Sequence, residues 1–261
     1  MTNFKPSFLS NIPPVVLNLM IINVLFWVAS IIFPTFLGIN LTEILGLHYW
    51  KSEKFNPIQF ISYMFMHDTG SITHLFFNMF GIYMFGRALE QVWGAKKFLL
   101  FYFVAGIGAG IIQQLSWMFD FHSLSSAMDS AIAINSGEPL VQFSKYFTGN
   151  IADATAVDII RLKTQFFNQF VTVGASGSLF GVLLAFGWLF PHVKMMLIFL
   201  PIPIPARIFV AIYAIVELFL GVTNFSIDNV AHFAHLGGMI FGGILLYIWH
   251  KQGKLYNNSN R

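Results

Sequence analysis

A serine and a histidine that stand far apart in the chain carry the clearest chemical signal. Ser176 lies in the run Gly174-Ala175-Ser176-Gly177, and His235 follows 59 residues later, each within an otherwise apolar stretch. A serine hydroxyl can attack a carbonyl carbon, and a neutral imidazole can take the serine proton and return it to the leaving group. The two residues therefore predict acyl-transfer chemistry, since polar side chains in such stretches are costly and usually functional.

The glycines beside the serine have two interpretations. Gly174 and Gly177 leave room for a tight turn at the start of a helix, where free backbone N–H groups can hold a developing oxyanion. Small residues are also common wherever membrane helices pack closely, so the run by itself favours packing.

Two pairs of glycines offer a way to bring the serine and the histidine together. Gly177 and Gly181 form a G-x-x-x-G pattern after the serine, and Gly238 and Gly242 form another after the histidine. Such patterns let two helix backbones approach closely. If the two faces pack against each other, the serine and the histidine reach the same level. The alternative is packing of small residues with no chemistry.

A further polar pair, His74 and Asn78, is spaced to share one face of a helix. Both side chains can donate hydrogen bonds, so together with the backbone N–H of Ser176 they are candidates for an oxyanion-binding site. The alternative is hydrogen bonding between helices, which would be the better interpretation without the serine.

His232 and His235 are three residues apart, so a metal site has to be weighed, with His74 as a third ligand. No carboxylate stands in either of these stretches, and no H-E-x-x-H occurs. We therefore predict neither a metal nor another cofactor. Glu217 lies in a separate apolar stretch, where we expect it to be buried, and the sequence identifies no partner for it.

The composition is that of a membrane protein. Of the 261 residues 56% are hydrophobic and only 10% are charged, whereas soluble domains carry about 25% charged residues. A mean hydropathy of +0.70 points the same way, so we expect the lipid bilayer as the main partner. The net charge of +3 comes from scattered residues, which argues against nucleic acid. The absence of cysteine excludes disulfides and thiolate catalysis.

The apolar stretches predict six membrane-spanning helices and an all-α fold. Their approximate bounds are 15–33, 73–85, 98–118, 177–190, 206–220 and 231–249. We expect one membrane domain over residues 1–261, with an extramembrane insertion at about 120–165, where the chain is too polar to span. A loose helical period predicts one amphipathic helix in that insertion, with Val157, Ile160, Leu162 and Phe166 as its apolar positions.

Basic residues orient these six helices. With the N-terminus inside, nine of the 14 Lys and Arg residues fall in inner segments, which agrees with the positive-inside rule. These nine are Lys5, Arg87, Lys96, Lys97, Lys194, Arg207, Lys251, Lys254 and Arg261. The C-terminus is then also inside, and His74, Ser176 and His235 all fall toward the outer side of the membrane.

Four motifs together resemble the rhomboid family of intramembrane serine proteases. They are HLFFN at 74–78, GRALEQVWG at 86–94, GASG at 174–177 and AHFAHLGGMIFG at 231–242. Each motif is modest alone, but they occur in the family's order and at suitable depths. The stretch before His74 departs from the family because it lacks the common Trp-Arg pair and instead contains His67.

The resemblance implies a rhomboid-like bundle and a serine endopeptidase that works through a dyad without an acidic third member. Ser176 would be the nucleophile and His235 the general base, with the Ser176 N–H, His74 and Asn78 as oxyanion donors. Substrates would be transmembrane segments of single-span proteins, entering past a mobile fifth helix. We expect a bacterial plasma membrane, with the active site opening to the outer side.

Two other functions remain open. A rhomboid-like protein that only binds client proteins would normally lack Ser176 or His235, and both are present. A small polytopic transporter should show internal repeats or broken helices. The run of Pro201, Pro203 and Pro205 resembles such a break, but we place it at the inner surface.

Overall fold

The computed structural model of the chain describes residues 12–147, 150–197, 200–223 and 231–256. Its helices are α1 (Pro14–Leu37), α2 (Leu41–Leu45), α3 (Gln59–Ser62), α4 (Ile72–Gly81), α5 (Arg87–Trp93), α6 (Ala95–Ile134), α7 (Ala156–Asn168), α8 (Ser176–Leu189), α9 (Ala206–Thr223) and α10 (His232–Lys251). The strands are β1 (Leu47–His48), β2 (Val171–Thr172), β3 (Lys194–Leu197) and β4 (Leu200–Pro205). The expected all-α fold therefore needs one correction, because β1 pairs with β2 and β3 with β4, both antiparallel.

Among the residues that the structure describes, four helices are long and apolar enough to cross a membrane, namely α1, α6, α9 and α10, and α8 is apolar but shorter. Each of the six predicted spans coincides with one of these five helices or with α4 and α5. The proline run lies within β4, in the hairpin before α9. Lys5 and Arg261, which entered the charge count, lie outside the described residues.

The helix predicted as the second span is longer than the sequence indicates. A π-helical turn at Ile82–Gly86 joins α4 to α5, so the helix runs unbroken to Trp93 and does not end at Phe85. The predicted end fell near the charged residues that follow. Glu90 is nevertheless buried, because its carboxylate accepts hydrogen bonds from the N–H groups of Val15 and Val16 at the start of α1. A helix start has free N–H groups, and they satisfy this charge.

The insertion is built partly from a continued helix. The third span was expected to end at residue 118, but α6 runs for 40 residues to Ile134, which is about 60 Å of helix. Two 3₁₀ segments follow, at Glu138–Tyr146 and Ile151–Asp153. The expected amphipathic helix is α7, which starts at a capping box formed by Thr155 and Asp158.

The apolar face of α7 differs from the predicted one. Of the predicted apolar positions, Phe166 is buried and Leu162 is partly buried, but Val157 and Ile160 are exposed. Ile159 and Phe167 are buried in their place. These buried residues belong to a hydrophobic cluster separate from the main core. The cluster contains Tyr49, Trp117, Leu124, Met128, Ala131, Leu140, Ile151, Ile159, Phe166 and Phe167. The C-terminal part of α6 is therefore the surface on which the insertion folds.

Three helices meet through small residues at the centre of the molecule. A Cβ added to Gly177 of α8 would lie 2.4 Å from the Cβ of Ala109 of α6. One added to Gly181 would lie 2.5 Å from the Cβ of Ala105. Side chains larger than hydrogen would force these helices apart, because protein interiors are already close-packed.

The contact between α8 and α10 is closer still. A Cβ on Gly238 would lie 1.8 Å from the carbonyl oxygen of Gly177, and one on Gly242 would lie 3.2 Å from the Cα of Gly181. Both G-x-x-x-G pairs thus lie at one helix crossing. That crossing determines how near the first turns of α8 and α10 come to each other.

Candidate active site

A sharp turn places Ser176 at the first position of α8. The strand pair formed by β1 and β2 leads the chain to Gly174, whose N–H donates to the carbonyl of Tyr63 at 3.0 Å. Gly174 has φ of +129°, which side chains larger than hydrogen rarely tolerate. A Cβ there would also lie 3.1 Å from His74 Nε2 and 3.4 Å from Ser176 Oγ. The glycine therefore keeps a space open between these two side chains.

The first turn of α8 has no side-chain cap. Ala175 occupies the cap position without a capping hydrogen bond, and the N–H of Leu179 is bonded to its carbonyl at 3.0 Å. The N–H groups before Leu179 have no acceptor within the helix. They point toward the start of the helix, where its dipole favours negative charge. The backbone N–H of Ser176 is one of them.

His235 meets Ser176 across the crossing of α8 and α10. Its Nε2 lies 2.9 Å from Ser176 Oγ, which is within the range needed for proton transfer. The imidazole stacks on Phe180 with ring centroids 4.1 Å apart and an angle of 7°, and Tyr213 stacks on the other side of Phe180. The sequence did not identify this stack, although Phe180 stands one helical turn after the serine. The stack limits rotation of the imidazole ring.

Glu217 of α9 has partners that the sequence did not identify. Its Oε2 lies 3.0 Å from Nδ1 of His235 and 2.7 Å from Nδ1 of His232. All three side chains are buried. The i, i+3 spacing of the two histidines was the only sign of this cluster in the sequence, because α9 and α10 are brought together by packing.

His74 and Asn78 are four residues apart in α4 and share one face of that helix. His74 borders the space at Gly174, as described above. Asn78 is buried, and its Nδ2 donates to the carbonyl of His74 at 2.8 Å, while Oδ1 has no partner among the described residues. The described residues contain no hydrogen bond from either side chain to Ser176. The structure therefore places His74 beside the serine, while Asn78 is hydrogen-bonded within its own helix.

His67 is a further buried histidine near the site. Its ring centroid lies 5.1 Å from that of His74, and neither ring nitrogen has a hydrogen-bond partner among the described residues. It lies in the loop before α4, and burial lowers its pKa to about 4. The His67 ring is therefore neutral near pH 7, and it packs beside the ring of His74.

The three side chains that could bind a metal together are not the three that the sequence suggested. Glu217, His232 and His235 offer ligand atoms that all lie within 4.8 Å of one another. The sequence argument considered only the second and sixth spans, which contain no carboxylate, and it therefore missed Glu217 of α9. The third possible ligand beside the two histidines is therefore Glu217 and not His74. Hydrogen bonding already accounts for the three side chains, since two imidazole N–H groups can donate to one carboxylate oxygen.

Comparison with known proteins identifies the class. The family model described as the rhomboid domain matches residues 54–132 and 139–252. This match includes the turn at Gly174, the serine, the histidine and Glu217. The chain belongs to the rhomboid family, as the four sequence motifs predicted, and it is a membrane protein.

One curated relative is the mitochondrial Rhomboid protein 1 of Saccharomyces cerevisiae, which is 40% identical over 79 residues. The alignment covers 30% of this chain and 22% of the relative, so the chain matches only a minor part of that protein. Its name places the relative in mitochondria. The bacterial plasma membrane expected from the sequence gains no support from it.

Proposed function

We propose that this chain is an intramembrane serine endopeptidase in which Ser176 is the nucleophile and His235 the general base. The observation that carries the proposal is the 2.9 Å distance between Ser176 Oγ and His235 Nε2. It occurs where two glycine-rich helices cross, at the start of a helix with free N–H groups. Nucleophile, base and anion-binding donors are thus adjacent, as acyl transfer requires.

The reaction has two stages, in which Ser176 first forms an ester with the substrate and is then released from it by water. His235 takes the Ser176 proton as Oγ attacks the scissile carbonyl carbon, and the carbonyl oxygen becomes an oxyanion. His235 then gives the proton to the departing amine, which leaves an acyl-enzyme. Water, deprotonated by His235, then attacks the ester. His235 returns this proton to Ser176 Oγ as the ester bond breaks and the new carboxyl group leaves. These steps balance without a cofactor.

The oxyanion would lie in the space at Gly174. The His74 ring and Ser176 Oγ border that space. The His74 ring N–H and the free backbone N–H of Ser176 at the start of α8 can both donate to a negative oxygen. Asn78 would join them after giving up its bond to the His74 carbonyl, or through its second amide hydrogen. Removing one such donor in other hydrolases costs about 10²–10³-fold in rate.

The substrates would be transmembrane segments of single-span proteins. A peptide bond in a regular helix is shielded by its own backbone hydrogen bonds, so segments that unwind easily near the cut should be preferred. We further propose that α1, α4 with α5, α6, α8, α9 and α10 are six spans with both termini inside, which opens the site to the outer side of the membrane. In this arrangement residues 1–261 form a single domain, and the insertion at about 120–165 lies outside the membrane.

Cleavage of a single-span substrate by the purified protein in liposomes tests the proposal. We expect Ser176→Ala to lower the rate by at least about 10³-fold. Ser178→Ala is the matched control, because it removes the same hydroxyl two residues further along α8 and should cleave nearly as well as the parent. A fluorophosphonate should label the parent and Ser178→Ala, but not Ser176→Ala.

Two results would contradict the proposal. Cleavage by Ser176→Ala at the parent rate would show that another nucleophile, or a contaminating protease, does the work. A folded parent that neither cleaves nor labels would favour the alternative, a rhomboid-like protein that only binds its clients.

A further inference from the structure

The structure contains a buried carboxylate that a serine–histidine dyad does not use. Glu217 is 5% exposed in an apolar helix, and an unpaired charge at such a position would be very costly. Its partners are the two imidazoles of α10. We propose that Glu217 is a positioning residue that holds His235 in the orientation and tautomer needed to accept the Ser176 proton. This inference rests on the proposed function and adds a third, acidic member to the site.

The argument begins with the donors and acceptors. An ionised carboxylate can only accept hydrogen bonds, so the 3.0 Å contact requires a hydrogen on Nδ1 of His235. A neutral imidazole carries one hydrogen, which leaves Nε2 with a free lone pair. That lone pair lies 2.9 Å from Ser176 Oγ, where the hydroxyl can donate to it. With the hydrogen on Nε2, the serine would have no base.

The carboxylate also acts once the proton has moved. His235 becomes a cation when it takes the serine proton, and Glu217 Oε2 is then a negative charge 3.0 Å from its Nδ1. In a buried site this attraction is much stronger than in water. An acid in the same relation to the histidine of a serine protease is worth about 10⁴-fold in kcat, chiefly through the tautomer.

His232 restrains the carboxylate from a second direction. Its Nδ1 lies 2.7 Å from the same Oε2, one helical turn before His235. Glu217 therefore links α9 to the first turn of α10 at two points. A purely structural role would be to hold α9 in place, and both histidines would contribute to it. The positioning role depends on His235 alone, so the two roles predict different results for His232.

The direct test is the tautomer of His235 in the parent protein. Nitrogen-15 NMR of histidine-labelled protein in micelles, with His235→Gln to assign the signal, should show Nδ1 protonated and Nε2 unprotonated at neutral pH. In Glu217→Gln the hydrogen should shift toward Nε2, because an amide can donate to Nδ1. Nε2 protonation in the parent would overturn the inference. This measurement needs no activity, so it stands even if the proposed function fails.

Kinetics test the consequence. Glu217→Gln should lower kcat by at least about 10²-fold with KM nearly unchanged, and it should slow fluorophosphonate labelling of Ser176 by a similar factor. His232→Gln weakens the link between the helices but keeps the His235 bond, so it should lose much less kcat. Equal losses in the two variants would overturn the positioning role in favour of a structural one.

Glu90→Gln is the matched control for loss of a buried carboxylate. Glu90 contacts the start of α1, far along the chain from the reacting groups, so this variant should lower the melting temperature more than it lowers kcat. A kcat for Glu217→Gln within about threefold of the parent would overturn the inference. So would one equivalent of zinc in the purified parent that Glu217→Gln no longer binds, because a metal would then replace the hydrogen on Nδ1.

Discussion

The contact between Gly238 and Gly177 allows a quantitative test of how helix packing assembles the site. In Gly238→Ala the new methyl group would lie 1.8 Å from the Gly177 carbonyl oxygen, whereas ordinary contact begins at 3.4 Å. The atom that it meets is backbone and cannot rotate away. The helices must therefore separate by about 1.6 Å at this point, since repulsion rises steeply below contact distance.

That displacement acts on the reacting atoms almost directly. Gly238 lies one turn after His235, and Gly177 follows Ser176 immediately. If α10 moves as a rigid helix, the distance from Ser176 Oγ to His235 Nε2 grows from 2.9 Å to about 4.5 Å, beyond the reach of proton transfer. We expect cleavage to fall by at least about 100-fold. Overpacking should also lower the free energy of unfolding by about 1–3 kcal/mol.

The assay is cleavage of a single-span substrate in liposomes, with thermal unfolding in detergent beside it. Gly243→Ala is the matched control, because its Cβ would meet only the end of the Leu184 side chain, at 3.3 Å, which can rotate. It should retain most of the activity and stability. If Gly238→Ala cleaves within about threefold of the parent, the separation of the two helices does not control the reaction, and the reasoning is refuted.

Two further predictions concern the turn before the serine and the buried His48 of β1. Gly174→Ala should abolish most cleavage, because its φ of +129° strains an alanine and its methyl group would fill the space between His74 and Ser176. His48 is buried, and its pKa is lowered from 6.5, chiefly by burial and then by Lys54. The unfolded chain therefore binds more protons below pH 6.5, and stability that is complete above that pH should fall as the pH drops toward the folded pKa.

Each of these predictions has a control. Gly38→Ala imposes a left-handed φ of +67° at the end of α1 with no atom within 4 Å of the new methyl group, so it should strain the backbone without reducing kcat. Equal losses in the two glycine variants would mean that strain, not the filled space, is responsible. For His48, the melting temperatures at pH 7.5 and 5.5 should differ less in His48→Gln than in the parent. An unchanged difference would contradict the assignment.

The motifs around Ser176, His235 and His74 predicted the family from local residue patterns. Apolar runs likewise predicted where helices occur, because the length of a run and its charge decide whether it can cross a bilayer. The glycine spacings predicted which helix faces could approach closely. These properties belong to single segments, and the sequence records them directly.

Local patterns failed where a residue's environment came from a distant segment. The second span was predicted to end at Phe85, yet the helix continues past Glu90, whose carboxylate is hydrogen-bonded to the start of α1. The periodicity of α7 selected Val157 and Ile160, but the cluster around Tyr49 buries Ile159 and Phe167 instead. The polar stretch after residue 118 predicted an insertion that begins where the third span ends, but α6 itself continues into the insertion as far as Ile134. In each case tertiary packing overrode a local preference.

The sequence by itself determined the reactive residue types, the apolar helices and the small residues that let them meet. Only the tertiary structure decided which group each nitrogen of His235 contacts. Nδ1 lies within hydrogen-bond distance of Glu217, and Nε2 lies within hydrogen-bond distance of the Ser176 hydroxyl. The physical reason is that hydrogen bonds are short and directional. Their partners are fixed by the crossing of α8, α9 and α10, which no spacing within one helix can specify.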